Sequence, residues 1–134
     1  MLRYGAGLSQ DVLYPELAVL LTSPMPFTVE YFNNRVLADV EAWPVDVLAD
    51  YARLVELIAE HGLALRLPHS RAMGDGLFEL RPRGRSGIGR ALYCFRTGHR
   101  VVILHAFIKK TQQTPDRELM LARRRLRELL DERP

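Results

Sequence analysis

The sequence predicts an α+β domain in which a three-stranded antiparallel meander is supported by helices. Three observations lead there. Residues 77–108 contain three segments rich in strand-forming side chains, the first alternating and the last almost wholly apolar, divided by short turn signals. Upstream of them, apolar residues recur at helical spacing. Downstream, residues 115–130 repeat that spacing behind a proline start.

The 134 residues fit one domain, with 48% hydrophobic and 26% charged side chains. Residues 1–24 fit poorly with the rest of the chain. Gly5, Gly7, Pro15 and Pro24 interrupt them, leaving only 15–22 for a short helix. They are expected to be a weakly ordered N-terminal extension, with the functional domain spanning 25–134. Phe27–Phe32 (FTVEYF) alternates as a half-buried strand. Asn33 and Asn34 are N-cap candidates for a short helix over 35–42, with Leu37 and Val40 inward. Pro44 then opens a helix running to His61, with Leu48, Tyr51, Ala52, Val55, Ile58 and Ala59 facing inward and Gly62 as terminator.

Gly74-Asp75-Gly76 reads as a turn and Leu77–Arg81 as a strand, with Phe78 and Leu80 opposed to Glu79 and Arg81. A mobile Gly- and Arg-rich loop is expected over 82–89. Strands come next at 90–96 and 100–108, joined by a Thr97-Gly98-His99 hairpin, the last strand being the most apolar and hence central. Thr114 is expected to cap the closing helix, with Pro115 at its first position and Leu119, Ala122, Leu126 and Leu129 inward.

Cys94 is the only cysteine, so an intrachain disulfide is impossible and a cysteine-rich metal site is excluded. With no long apolar run, the expectation is a cytoplasmic protein with no membrane partner. The net charge of +3 hides an asymmetry: residues 1–62 hold three Arg against nine Asp/Glu, whereas 63–110 hold ten Arg/Lys against Asp75 and Glu79. A cationic middle in an otherwise acidic or neutral chain calls for an anionic partner, and nucleic acid and an acidic protein segment both qualify.

Topology locates that charge. In a meander, Arg81 ends one strand, Arg90 begins its neighbour, and Lys109-Lys110 ends the third, so all four reach one rim of the sheet. A phosphate backbone is the commonest anion to meet such a rim. Lys109 and Lys110 are the only lysines beside seventeen arginines. Lysine can give up its proton when desolvated or crowded by cations and arginine effectively cannot, which makes Lys109 an acid–base candidate. Lys110 reads equally as an exposed edge charge. Arg83 and Arg85, in the loop, are RNA-binding candidates. Glu79 and His105 are second-tier candidates, and a core histidine satisfied by hydrogen bonds is the plainer reading of His105. No zinc spacing, phosphate loop, dinucleotide fingerprint or nucleophile elbow occurs, so neither a metal nor a cofactor is expected.

The runs GDGLFELR, GIGRALY and VVILHAFIKKTQQTP resemble the HigB-like, phage-derived branch of the RelE/ParE toxin superfamily, over residues 25 to about 130. The resemblance implies a small twisted antiparallel sheet with helices packed on one face. It implies a toxin of a type II toxin–antitoxin module, paired with a helix-turn-helix antitoxin and acting on the ribosome and mRNA. Arg81, Arg90, Lys109 and Lys110 match the basic catalytic positions, while Glu79 stands where RelE-type members have another lysine. The implied reaction is ribosome-dependent cleavage of mRNA without a metal, using the 2′-hydroxyl of the RNA as nucleophile. Within the same superfamily the alternatives are a ParE-like gyrase inhibitor that cuts nothing and an inactive prophage remnant.

Overall fold

A computed structural model describes residues 26–110 and 113–132; the expected extension over 1–24 lies outside the described residues. The elements are β1 (Thr28–Tyr31), α1 (Asn34–Glu41), α2 (Val45–His61), β2 (Ser70–Gly74), β3 (Leu77–Leu80), β4 (Arg83–Gly84), β5 (Gly87–Arg96), β6 (Arg100–Lys109) and α3 (Asp116–Asp131). The α+β expectation holds. Strands β3, β5 and β6 form the anticipated antiparallel meander within a sheet ordered β1-β6-β5-β3-β2, with β4 paired to β5.

Two details of the expected architecture need correction. The sheet is mixed, because β1 joins β6 in parallel, Thr28 opposite Arg100 and Tyr31 opposite Ile103. A strand followed by two helices and a long return cannot re-enter as a hairpin partner, so it closes the far edge. The helices also cover both faces. Helices α1 and α2 bury Val36, Val40, Val47, Tyr51, Leu54 and Ile58 against Leu80, Ala91, Tyr93, Val101, Ile103 and Ala106. On the opposite face α3 buries Ala122, Leu126 and Leu129 against Leu77, Leu92, Cys94, Val102 and Leu104. Strands β5 and β6 are apolar on both faces, which obliges the fold to cover both. Each buried Leu or Val side chain contributes about 1.5–3 kcal/mol.

Asn33 caps α1 as expected, its side chain accepting from the Val36 amide at 3.0 Å. Val40, Tyr51 and Ile58 are buried as expected, while Val36, Val47 and Leu54 take the places expected for Leu37, Leu48 and Val55, which are only partly buried. Ala52, expected inward, is exposed. Trp43 packs edge-to-face on Tyr51 at 5.4 Å between ring centroids and anchors the start of α2 in this core. Pro44 and Pro115 are cap residues rather than first helical residues.

The expected mobile loop is a small hairpin instead. Arg83 pairs with Ile88 and Gly84 with Gly87. Two carboxylates of α2 hold it: Asp50 accepts from the Arg83 amide at 2.9 Å and Asp46 from the Ser86 amide at 2.8 Å. Gly84 lies so close to α2 that a Cβ there would stand 2.7 Å from the Asp46 side chain. Strand β2 is an addition to the expected elements, since SRAMG carries no alternation of β-formers. It pairs with β3 across Asp75 and Gly76, both with positive φ.

Candidate functional site

The site begins with a break in strand pairing. Tyr93 stands opposite Ile103 but Leu92 stands opposite His105, so Leu104 is an extra residue in β6. Such a bulge shifts the alternation of every side chain beyond it. Before the bulge, Val101 and Ile103 face α1 and α2. Without it, Lys109 would share their face. With it, Phe107 pairs with Arg90 and Lys109 with Ile88, so Lys109 lies on the α3 face. Glu79, opposite Leu92 in β5 and opposite Arg71 in β2, is on that face too.

Glu79 is the centre of the arrangement, with 1% of its surface exposed. Its Oε1 accepts from Arg81 Nη1 at 2.8 Å and lies 3.5 Å from Arg90 Nε. Its Oε2 accepts from the Thr114 hydroxyl, which ties the approach to α3 onto the sheet. The Thr114 side chain is thus spent on Glu79, and the structure records no side-chain cap at the start of α3. The buried carboxylate thus orients the Arg81 guanidinium and the Thr114 hydroxyl through hydrogen bonds, while Arg90 Nε, which makes no hydrogen bond, faces it at ion-pair distance.

Above this anchor lies a recess of about 320 Å³ lined by Arg71, Glu79, Arg81, Lys109, Thr114 and Asp116, with Met73, Gln113 and Leu119 completing it. Burial, followed by repulsion from Arg90, Arg81 and Arg71, holds the Lys109 ammonium below the usual lysine range, with Glu79 pulling the other way. Burial, then Arg81, likewise lowers the pKa of Arg90, whose Nη1 donates to the Gly89 carbonyl at 2.7 Å. Arg90 is only 5% exposed, so it acts on the recess from behind.

Arg81, Arg90, Glu79 and Lys109 are therefore brought together. Arg83 lies beside them, lining a neighbouring recess with Arg81 and Arg90. Lys110 and Arg85 are exposed and line neither recess. His105 shares the face but points its Nε2 to Glu118 Oε1 at 3.1 Å, outside both recesses. Sequence reading misses Arg71, Thr114 and Asp116. Arg71 is hidden with β2, and Thr114 reads as a helix cap. The available signal for Glu79 is its position on the same strand face as Arg81, where burial demands a cation for it. Among the described residues no group of three or more His, Cys, Asp or Glu is placed to hold a metal ion, and no helix is long and apolar enough to cross a membrane.

Fold and site together define a small α+β protein whose sheet end presents a cationic recess built over one buried carboxylate. Residues 38–127, more than half of the chain, match the family described as Phage derived protein Gp49-like (DUF891), and the chain belongs to that family. No curated protein matches it. Among solved structures it is similar to a chain of the toxin–antitoxin complex RelBE2 from Mycobacterium tuberculosis, at 23% identity over 65% of this chain and 95% of that one, with a TM-score of 0.42.

Proposed function

We propose that this protein is the toxin of a type II toxin–antitoxin module of the HigB-like kind, and that it cleaves mRNA on the ribosome. In this reading residues 25–134 are the toxin domain, residues 1–24 are an appended extension, and the partner is a helix-turn-helix antitoxin. The observation that carries it is the placing of Lys109, with its depressed pKa, among Arg71, Arg81 and Arg90 in and behind one recess. This supplies both a proton donor and a field for a phosphate that gains charge.

The 2′-oxygen of the RNA bonds to the adjacent phosphorus and the bond from phosphorus to the 5′-oxygen breaks. The hydroxyl proton leaves to solvent, and the Lys109 ammonium protonates the departing 5′-oxygen. The products are a 2′,3′-cyclic phosphate and a 5′-hydroxyl, and water reprotonates Lys109. Arg81 and Arg71 offset the negative charge of the pentavalent state, while Glu79 holds Arg81 in place and Arg90 adds positive charge behind it. The 2′-hydroxyl requirement restricts the chemistry to RNA. Alignment comes from the ribosome, which positions the message in a site with few groups of its own.

The test is induction in cells of the wild-type chain and of Arg81→Ala and Lys109→Ala, followed by primer extension on translated and untranslated transcripts. Cuts confined to translated messages, and abolished in both variants, are expected. Intact mRNA with DNA damage would assign gyrase instead. Folded variants that remain as toxic as the wild type would overturn the residue assignment.

A further inference from the structure

Arg81 is a partition. On its far side from the Lys109 recess lies a second recess of about 290 Å³, lined by Leu67, Pro68, Arg81, Arg83, Ile88 and Arg90. Its walls combine three guanidiniums and three apolar side chains, with no carboxylate among them. Leu67 is 62% and Ile88 40% exposed, so large apolar surface stands open beside concentrated positive charge. That pairing does not suit water, and it does not suit a simple anion either.

The walls are held rigid. The Arg83 amide is fixed by Asp50 and the Ser86 amide by Asp46, both from α2. The Gly89 amide donates to the Pro82 carbonyl at 2.8 Å, closing the base of the hairpin. On the other side the Arg81 amide donates to the His69 carbonyl at 2.9 Å, which seats the segment carrying Leu67 and Pro68 against β3. A recess built this way needs no reordering to bind.

We infer that the second recess is a nucleotide subsite for single-stranded RNA, taking the base of the nucleotide that flanks the phosphate in the Lys109 recess. This rests on the proposed reading of that recess as an RNA-cleaving site. A polynucleotide alternates anionic and flat apolar groups along its length, and the two recesses offer that alternation on either side of Arg81. The base lies on the Pro68, Leu67 and Ile88 surfaces, and its phosphate meets Arg81 and Arg83. A run of acidic residues alone would satisfy the guanidiniums but leave the apolar wall uncovered. The wall recognises ring area, so purines bind better than pyrimidines.

The experiment measures binding of fluorescein-labelled decamers of oligo(A) and oligo(U) RNA to the full chain across a salt series. Arg83→Ala is expected to weaken both by about tenfold and to reduce the salt slope by about 0.7, one phosphate contact. Ile88→Ser and Leu67→Ser, at exposed positions, are expected to weaken oligo(A) by roughly fivefold, leave the salt slope unchanged and erase the preference for oligo(A). Arg35→Ala, on exposed α1, serves as the charge control and should leave binding within about twofold. The subsite is overturned if Ile88→Ser and Leu67→Ser bind both RNAs as the wild type does, or if the wild type binds neither. It is also overturned if poly-glutamate competes as well as RNA at equal charge. Toxicity that depends on Lys109 alongside unaltered binding by Ile88→Ser would remove the subsite and leave the nuclease. Equal toxicity of Lys109→Ala alongside lost base preference in Ile88→Ser would do the reverse.

Discussion

Arg125 of α3 donates from Nη1 to the main-chain carbonyl of Leu104 at 2.7 Å, meeting the strand at its bulge. The same guanidinium lies over the Phe32 ring, 5.4 Å from its centroid. Arg125→Ala is expected to cost about 2 kcal/mol of stability, read as a lower urea midpoint, because a charge-assisted bond and a stacked contact are both lost. Arg125→Met, which restores packing without the donor, should recover part of that loss.

Glu79→Gln keeps the shape of the anchor and removes its charge. Arg90 is then a buried cation without its carboxylate, since only 6% of its side chain is exposed. The expected cost is about 3 kcal/mol, the usual penalty for breaking a buried pair from one side. A thermal melt lowered by several degrees checks it; an unchanged melt would mean that Glu79 does not hold the rim.

Lys109 can be watched directly, because the chain contains only two lysines. With ¹³C at lysine Cε, one of two signals should titrate below the ordinary lysine range and vanish in Lys109→Arg. Arg71→Ala removes a repelling cation and should move that titration upward, whereas Glu79→Gln removes an attracting anion and should move it downward. A cleavage rate that needs the ammonium then loses its alkaline limb at a lower pH in Glu79→Gln.

Acid should loosen the small hairpin and the β1 edge together. The Ser86 amide bonded to Asp46 holds its carboxyl below the usual range, and Arg100 does the same for Glu30. Both folded-state values are depressed. The stability they contribute is therefore present above the unfolded carboxyl values, about pH 4, and is lost as pH falls below them. Amide exchange at residues 83–88 should accelerate in that window. In Asp46→Asn the exchange should be fast already at neutral pH and show less change on acidification.

The meander, its turns and the basic rim are legible in the sequence because alternation, turn residues and strand order are local properties of residues 77–109. The closing helix is legible for the same reason. Three things are not. Strand β2 depends on pairing with β3 rather than on its own residues. The parallel β1 edge depends on where two helices return the chain, and α3 takes the second face because β5 and β6 are apolar on both sides. At the site, topology alone brings Arg81, Arg90 and Lys109 to one rim, and the structure gathers them there. The orientation of the rim is not derivable, because the bulge at Leu104 depends on how β5 and β6 settle against α3. Glu79 reads in the sequence as a departure from a pattern; its burial makes it the carboxylate that allows Arg81 and Arg90 to sit together.

The extra residue in β6 puts a change of phase in the middle of that strand. Residues 101–104 pack into the two cores, and beyond the bulge Ala106 stays in the core while Phe107 and Lys109 fall on the α3 face. An in-frame gain or loss of one codon between His105 and Lys109 would turn Lys109 to the opposite side of the sheet while leaving the pairing of 101–103 with β5 as it is. Changes of that kind would map within five residues of one another and would uncouple the placement of Lys109 from the pairing that seats the first half of the strand.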